Sequence, residues 1–220
     1  MEDRTQIDEM LEKAKAAQSV VETYTQEQVD ALVKIVGKTI FDNAEILAEE
    51  AVSETHYGRV DSKIYKQQKA TAAAWYYLRD KKSVGIIDND TINGVVTFAK
   101  PVGVVACLAP STNPTSTVAS NVMNIIKCRN AVIVSPHPGA KNVTVHGVSL
   151  INAALEKVKA PENLIQIITE PSLDKTQELM KKSDVIVATG GASMVKSAYS
   201  SGRPSFGVGQ GNVQVIVADD

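Results

Sequence analysis

From residue 101 onward the chain repeats one pattern: a short run of Val, Ile, Leu and Ala, then a helical stretch, then another apolar run. Strands are predicted over 102–109, 131–135, 164–168, 184–188 and 205–208, with helices over 114–127, 141–158, 172–181 and 192–200. A strand whose successive side chains are all apolar must have both faces covered, and helices between the strands supply that cover. The alternation therefore predicts an α/β fold built on a doubly wound parallel sheet. Such a sheet also dictates where a ligand binds, namely outside the carboxyl ends of its strands.

The first 82 residues have a different texture, rich in Ala, Glu, Lys and Gln. Thr25 and Gln28 form a capping-box pattern ahead of Val29, Leu32, Val33, Val36 and Ile40, which share one helix face. Further helices are expected over 43–55 and 60–79, with Trp75, Tyr76 and Tyr77 assigned to packing. The β-rich runs 84–88 and 95–100 flank the turn signals Asn89-Asp90 and Asn93-Gly94, which predicts a β hairpin. The apolar run 213–217 reads as one more strand. The chain thus divides into an N-terminal helical segment, 1–82, and a Rossmann-like cofactor-binding domain, 83–220.

With 220 residues, 44% of them hydrophobic, a sizeable core is affordable. Lys and Arg total 23 against 25 Asp and Glu, so no basic face is expected and nucleic acid is an improbable partner. Two cysteines, Cys107 and Cys128, read as buried structural thiols in a reducing compartment. The polar start and the absence of a run near the ~20 apolar residues of a membrane span suggest a soluble, cytoplasmic protein. His56 and His146 lack partners at ligand spacing, so no metal is expected, and no G-x-S-x-G serine signature occurs.

Three strand-to-helix junctions carry the candidate chemistry. In the first, Leu108-Ala109-Pro110-Ser111-Thr112-Asn113-Pro114, Asn113 either caps the following helix or donates its amide to a developing oxyanion. In the second, Ser135-Pro136-His137-Pro138, His137 is a hydrogen-bonded structural residue or a contact for a cofactor ribose or phosphate. The third, Thr189-Gly190-Gly191, delivers small residues to a helix start, where unpaired N–H groups and the macrodipole suit a pyrophosphate. It matches neither G-x-G-x-x-G nor a P-loop. Lys196, two turns into that helix, is read as solvated, and a glycine run, Gly207-Val208-Gly209-Gln210-Gly211, follows the last strand.

Taken in order, these junctions resemble the aldehyde dehydrogenase superfamily, specifically its CoA-acylating branch, which includes the aldehyde half of bifunctional alcohol/aldehyde dehydrogenases. The resemblance rests on Ala99 through Val105, Pro110 through Ser116, Arg129 through Pro138, Ala188 through Gly202, and the glycine run to Asn212. It implies that Leu108, Ala109, Pro110, Ser111, Thr112, Asn113, Gly191 and Gly209 line an NAD site. Asn113 would hold the thiohemiacetal oxygen during hydride transfer. Ser135, His137, Thr189 and Gly190, at the same strand ends, join them as cofactor contacts. Ser135 stands where many relatives have lysine, which leaves NAD against NADP open. Hydrolytic members place a glutamate base near Gly207; glycine there would spare an enzyme thioester until a CoA thiol arrives. The implied reaction converts aldehyde, CoA and NAD into acyl-CoA and NADH, reversibly.

Two departures accompany the likeness. Relatives often have glycine where His56 stands. The family's nucleophilic cysteine lies some tens of residues beyond the glycine run, and neither Cys107 nor Cys128 matches it. The chain is therefore expected to be an N-terminal portion of an incomplete aldehyde dehydrogenase fold, inactive alone, from an enzyme that is a homo-oligomer at full length. Two alternatives stand beside this reading: an inactive nucleotide-binding or assembly module, and a semialdehyde dehydrogenase of the phosphate-dependent or proline-biosynthetic type.

Overall fold

The computed structural model describes residues 5–211 and 214–217. Helix α1 (Gln6–Val21) opens on a capping box in which the Thr5 hydroxyl accepts from the Asp8 N–H and the Asp8 carboxylate accepts from the Thr5 N–H. Helix α2 (Gln26–Asp42) opens on the Thr25–Gln28 box that the spacing predicts, and it buries Val29, Leu32, Val33, Val36 and Ile40. Helix α3 (Ala44–Thr55) stops at His56, whose φ of 56° is left-handed. That is a helix-ending conformation glycine adopts most cheaply, which accounts for glycine at this position in the resemblance. Helix α4 (Val60–Leu78) completes the segment.

A hairpin of β1 (Gly85–Asp90) and β2 (Val95–Ala99) follows, antiparallel, with a register shift between Ile86 and Asp88. Both strands are largely exposed. Then come β3 (Val104–Leu108), α5 (Pro114–Lys127), β4 (Ala131–Ser135), a 3₁₀ turn (Pro138–Ala140) and α6 (Lys141–Glu156). The chain continues through β5 (Ile165–Ile167), α7 (Leu173–Lys182), β6 (Val185–Thr189), α8 (Ala192–Tyr199) and β7 (Ser205–Val208). The five strands from β3 onward pair in parallel in the order β5-β4-β3-β6-β7. The chain winds outward from β3 to β5, then returns to the other side of β3. The switch point lies between β3 and β6.

Central strands β3 and β4 are buried on both faces, as their apolar runs require. Edge strand β7 departs from that expectation, with Phe206 68% and Val208 61% exposed, because no described element covers its outer side. The strand expected over 213–217 is not formed at 214–217; Asn212 and Val213 lie outside the described residues.

One hydrophobic core runs across the boundary at residue 82, joining Ile7, Val33 and Leu47 of the helices to Val104–Leu108 and Ile133 of the sheet. Helices α2 and α5 approach closely enough that a Cβ on Gly37 would sit 2.9 Å from the Met123 Cε. Two packing expectations need correction. Of the aromatic cluster only Trp75 packs against the core; Tyr76 and Tyr77 are exposed, under Arg79 and Lys81 respectively. Cys107 is buried, but Cys128, the C-cap of α5, is exposed although Lys127 and Arg129 on either side of it are buried.

Candidate functional site

Strand register brings the junctions together. Leu108 pairs with Ser135 on one side and Ala188 on the other, and Ala188 pairs with Gly207, so the four end in one row. The loops that leave this row enclose a cleft of about 610 Å³. Its lining contains every residue expected to contact the cofactor: Leu108, Ala109, Pro110, Ser111, Thr112, Asn113, Ser135, His137, Thr189, Gly190, Gly191 and Gly209. It also contains Tyr57, Thr117, Ser172, Thr176, Met194 and Gln210, which sequence reasoning missed. Ser172 carried a usable signal, since it is an N-cap serine. Tyr57 carried none.

Asn113 occupies the N-cap position of α5, yet its side chain makes no capping bond. Its Nδ2 lies 3.4 Å from Thr112 Oγ1, while its carbonyl accepts from the Thr117 N–H. The amide is therefore left available to an acceptor in the cleft. The loop before it is held from below. Lys63 Nζ donates to the Thr112 carbonyl at 2.7 Å, and the Thr115 hydroxyl donates to Gln67 Oε1 at 2.6 Å. Gln67 Nε2 in turn donates to the Ala44 carbonyl. Both Lys63 and Gln67 are buried, and burial, with the charge of Lys66 adding, pushes the Lys63 ammonium below its ordinary pKa.

On the opposite wall, the Thr176 hydroxyl donates to the Ser172 carbonyl, which leaves Ser135 Oγ, 2.8 Å away, as donor to Thr176. His137 is exposed, and its Nδ1 accepts from the Gly139 N–H at 3.0 Å. In the neutral ring the proton then sits on Nε2. His137 is thus a turn-capping residue that also borders the cleft.

A dinucleotide fits this lining. A Cβ on Gly191 or Gly209 would meet nothing within 4 Å, so the backbone borders open space rather than packed side chains. Helix α8 has no side-chain cap, and Gly191 and Met194 of its start line the cleft, so its first-turn N–H groups are available to phosphate oxygens.

Gly207 sits behind the cleft rather than in its lining. Its N–H donates to Tyr199 Oη at 3.1 Å, and a Cβ there would lie 2.6 Å from Val195 Cγ1. Neither cysteine borders the cleft. Burial pushes the Cys107 thiol up to about 11 despite a weak hydrogen bond from Asn121. A second groove, about 660 Å³, is lined by Glu49, Glu50, Glu54 and His146, but these groups serve the fold. Glu54 accepts from the Asn142 and Val143 N–H groups at the start of α6, and Glu50 pairs with His146. Among the described residues no group of three or more His, Cys, Asp or Glu is placed to hold a metal ion.

The chain is 52% identical to a succinate-semialdehyde dehydrogenase (acetylating) of Clostridium kluyveri, over 99% of its own length and 48% of that protein's. Among solved structures it matches an acetylating aldehyde dehydrogenase of Geobacillus thermoglucosidasius with a TM-score of 0.92 and 44% identity, covering 94% of this chain and 46% of that one. It also matches a Rhodopseudomonas palustris propionaldehyde dehydrogenase with bound propionyl-CoA, with a TM-score of 0.81 and 32% identity, over 94% and 46%. The chain therefore spans about half the length of these relatives, and their names describe acylating oxidoreductases. The family model for aldehyde dehydrogenases matches residues 1–219, and with the parallel sheet and its cleft in place, the chain belongs to the aldehyde dehydrogenase family.

Proposed function

We propose that these 220 residues form the cofactor-binding portion of a CoA-acylating aldehyde dehydrogenase, which converts an aldehyde, CoA and NAD into acyl-CoA and NADH. The observation that carries this reading is the single cleft edge on which all twelve expected residues converge. Bound there, NAD supplies the hydride acceptor. The start of α8 would hold its phosphates, with Gly191 and Gly209 giving the backbone close approach. Ser135 and His137 would border its ribose.

Asn113 is the oxyanion donor in this reading. Its amide would stabilise the negative charge that develops on the aldehyde oxygen as a thiol adds to the carbonyl. That thiol comes from sequence beyond the 220 residues, since Cys107 is sealed in β3 and Cys128 ends α5 away from the cleft. The acyl group then passes to CoA rather than water, because Gly207 offers no carboxylate base and its surroundings leave no room for one. Two measurements test the proposal. Calorimetry on these residues should detect NAD, and the parent enzyme should release acyl-CoA in the presence of CoA. Free acid as product despite added CoA, or an acyl phosphate formed only with inorganic phosphate, would favour the hydrolytic or phosphate-dependent alternative.

A further inference from the structure

A buried ammonium without a carboxylate partner is costly, so the place where one is kept needs a reason. Lys63 is 8% exposed, and among the described residues no Asp or Glu forms an ion pair with it. Its ammonium instead donates to one acceptor, the Thr112 carbonyl, at 2.7 Å. That carbonyl belongs to the peptide unit leading directly into Asn113, so the bond sets the plane from which the Asn113 side chain departs. The turn 56–58 closes over the same lysine: a Cβ on Gly58 would lie 3.4 Å from Lys63 Cε, and Tyr57 of that turn borders the cleft. One side chain therefore ties α4, the end of α3 and the floor of the cleft together.

We propose that Lys63 is a positioning residue for aldehyde oxidation, holding the Thr112–Asn113 peptide so that the Asn113 amide meets the developing oxyanion. This rests on the reading of Asn113 given above. Lys63 itself touches neither cofactor nor substrate in this role. A lysine serving only the fold would make a different prediction, because its loss would then weaken the protein and the cofactor site regardless of what residue 113 is.

The test is a double-mutant cycle in the full-length enzyme, with Lys63→Met, Lys63→Arg and Asn113→Ala assayed for NADH formation, NAD affinity by calorimetry and thermal midpoint. Lys63→Met should lower kcat about tenfold, equivalent to about 1.4 kcal/mol in the barrier, while NAD affinity stays within about twofold. Lys63→Arg, which keeps a cationic donor, should recover most of that loss. In the Asn113→Ala background, Lys63→Met should cost less than about twofold. Equal losses in both backgrounds, or a kcat loss matched by weakened NAD binding, would overturn the positioning role alone. Full activity of Asn113→Ala would remove the reading of Asn113 and the proposal with it. Should Lys63→Met not fold, Lys63→Gln takes its place in the cycle, and failure of both to fold shows a purely structural lysine.

Discussion

The backbone of Gly207 and the ring of Tyr199 are locked together. The glycine N–H donates to Tyr199 Oη at 3.1 Å, and a Cβ on residue 207 would sit 2.8 Å from the ring. Strand β7 and helix α8 meet at this contact.

Gly207→Ala should therefore strain the β7–α8 contact. Overpacking of this kind costs about 1–3 kcal/mol, visible as a lower thermal midpoint. Gly207→Glu should lose stability without gaining hydrolysis, because the carboxylate has no space beside Val195 and Tyr199. A stable Gly207→Glu variant that releases free acid would contradict this.

Asn113→Ala separates capping from catalysis. Removing a true N-cap side chain costs about 1 kcal/mol. Since the Asn113 side chain makes no capping bond, the thermal midpoint should barely move. Loss of an oxyanion donor should still lower kcat in the full-length enzyme by about 10²–10³-fold. A large drop in midpoint with little change in kcat would restore the capping role.

Gln67→Leu tests the support beneath the cleft. The buried amide bridges the Ala44 carbonyl and the Thr115 hydroxyl, and leaving both without partners should cost about 2–4 kcal/mol by denaturant titration. A loss below about 0.5 kcal/mol would mean the bridge is replaceable.

The two thiols should separate by reactivity. In the folded protein a maleimide should label Cys128, exposed at the end of α5, and spare Cys107, whose buried thiol is held near 11. Cys128 should itself react slowly, since partial burial raises its pKa despite the charges of Lys127 and Arg129. Mass spectrometry should find one label before denaturation and two after.

Acid should loosen the contact between α1 and α7. Lys182 Nζ, hydrogen-bonded to Asp8, lowers that carboxyl to about 2, with Thr5 assisting, and Lys182 also lowers Glu178. A folded-state pKa below the unfolded one gives stability that is present above about 4 and is lost as pH falls toward about 2. The thermal midpoint should drop across that window, and Lys182→Met should flatten the drop. Parallel profiles for the two proteins would exclude the cluster as its cause.

How far the sequence could be read depended on the distance over which each feature is set. Capping at Thr25 was legible because both partners lie within one turn. So were the three junctions, since an apolar run followed by Pro, Gly or Asn marks a strand end locally. The exposed Tyr76, Tyr77 and Cys128 were misread because the same residue types serve core and surface, and only the orientation of α4 and the end of α5 distinguishes them. The strand expected over 213–217 was likewise misread at 214–217.

Unaided, the sequence determined that a parallel sheet forms and that its strand ends carry small, amide-bearing residues. The periodicity of side chains and the chemistry of turns suffice for that. Tertiary structure alone decided that Leu108, Ser135, Ala188 and Gly207 end in one row, and that Tyr57 and Thr176 join the cleft. It also brought Lys63 under Thr112 from 49 residues away and left the Asn113 amide uncapped. Register and long-range burial are properties of packed elements, and no local pattern encodes which buried donor will find which distant carbonyl.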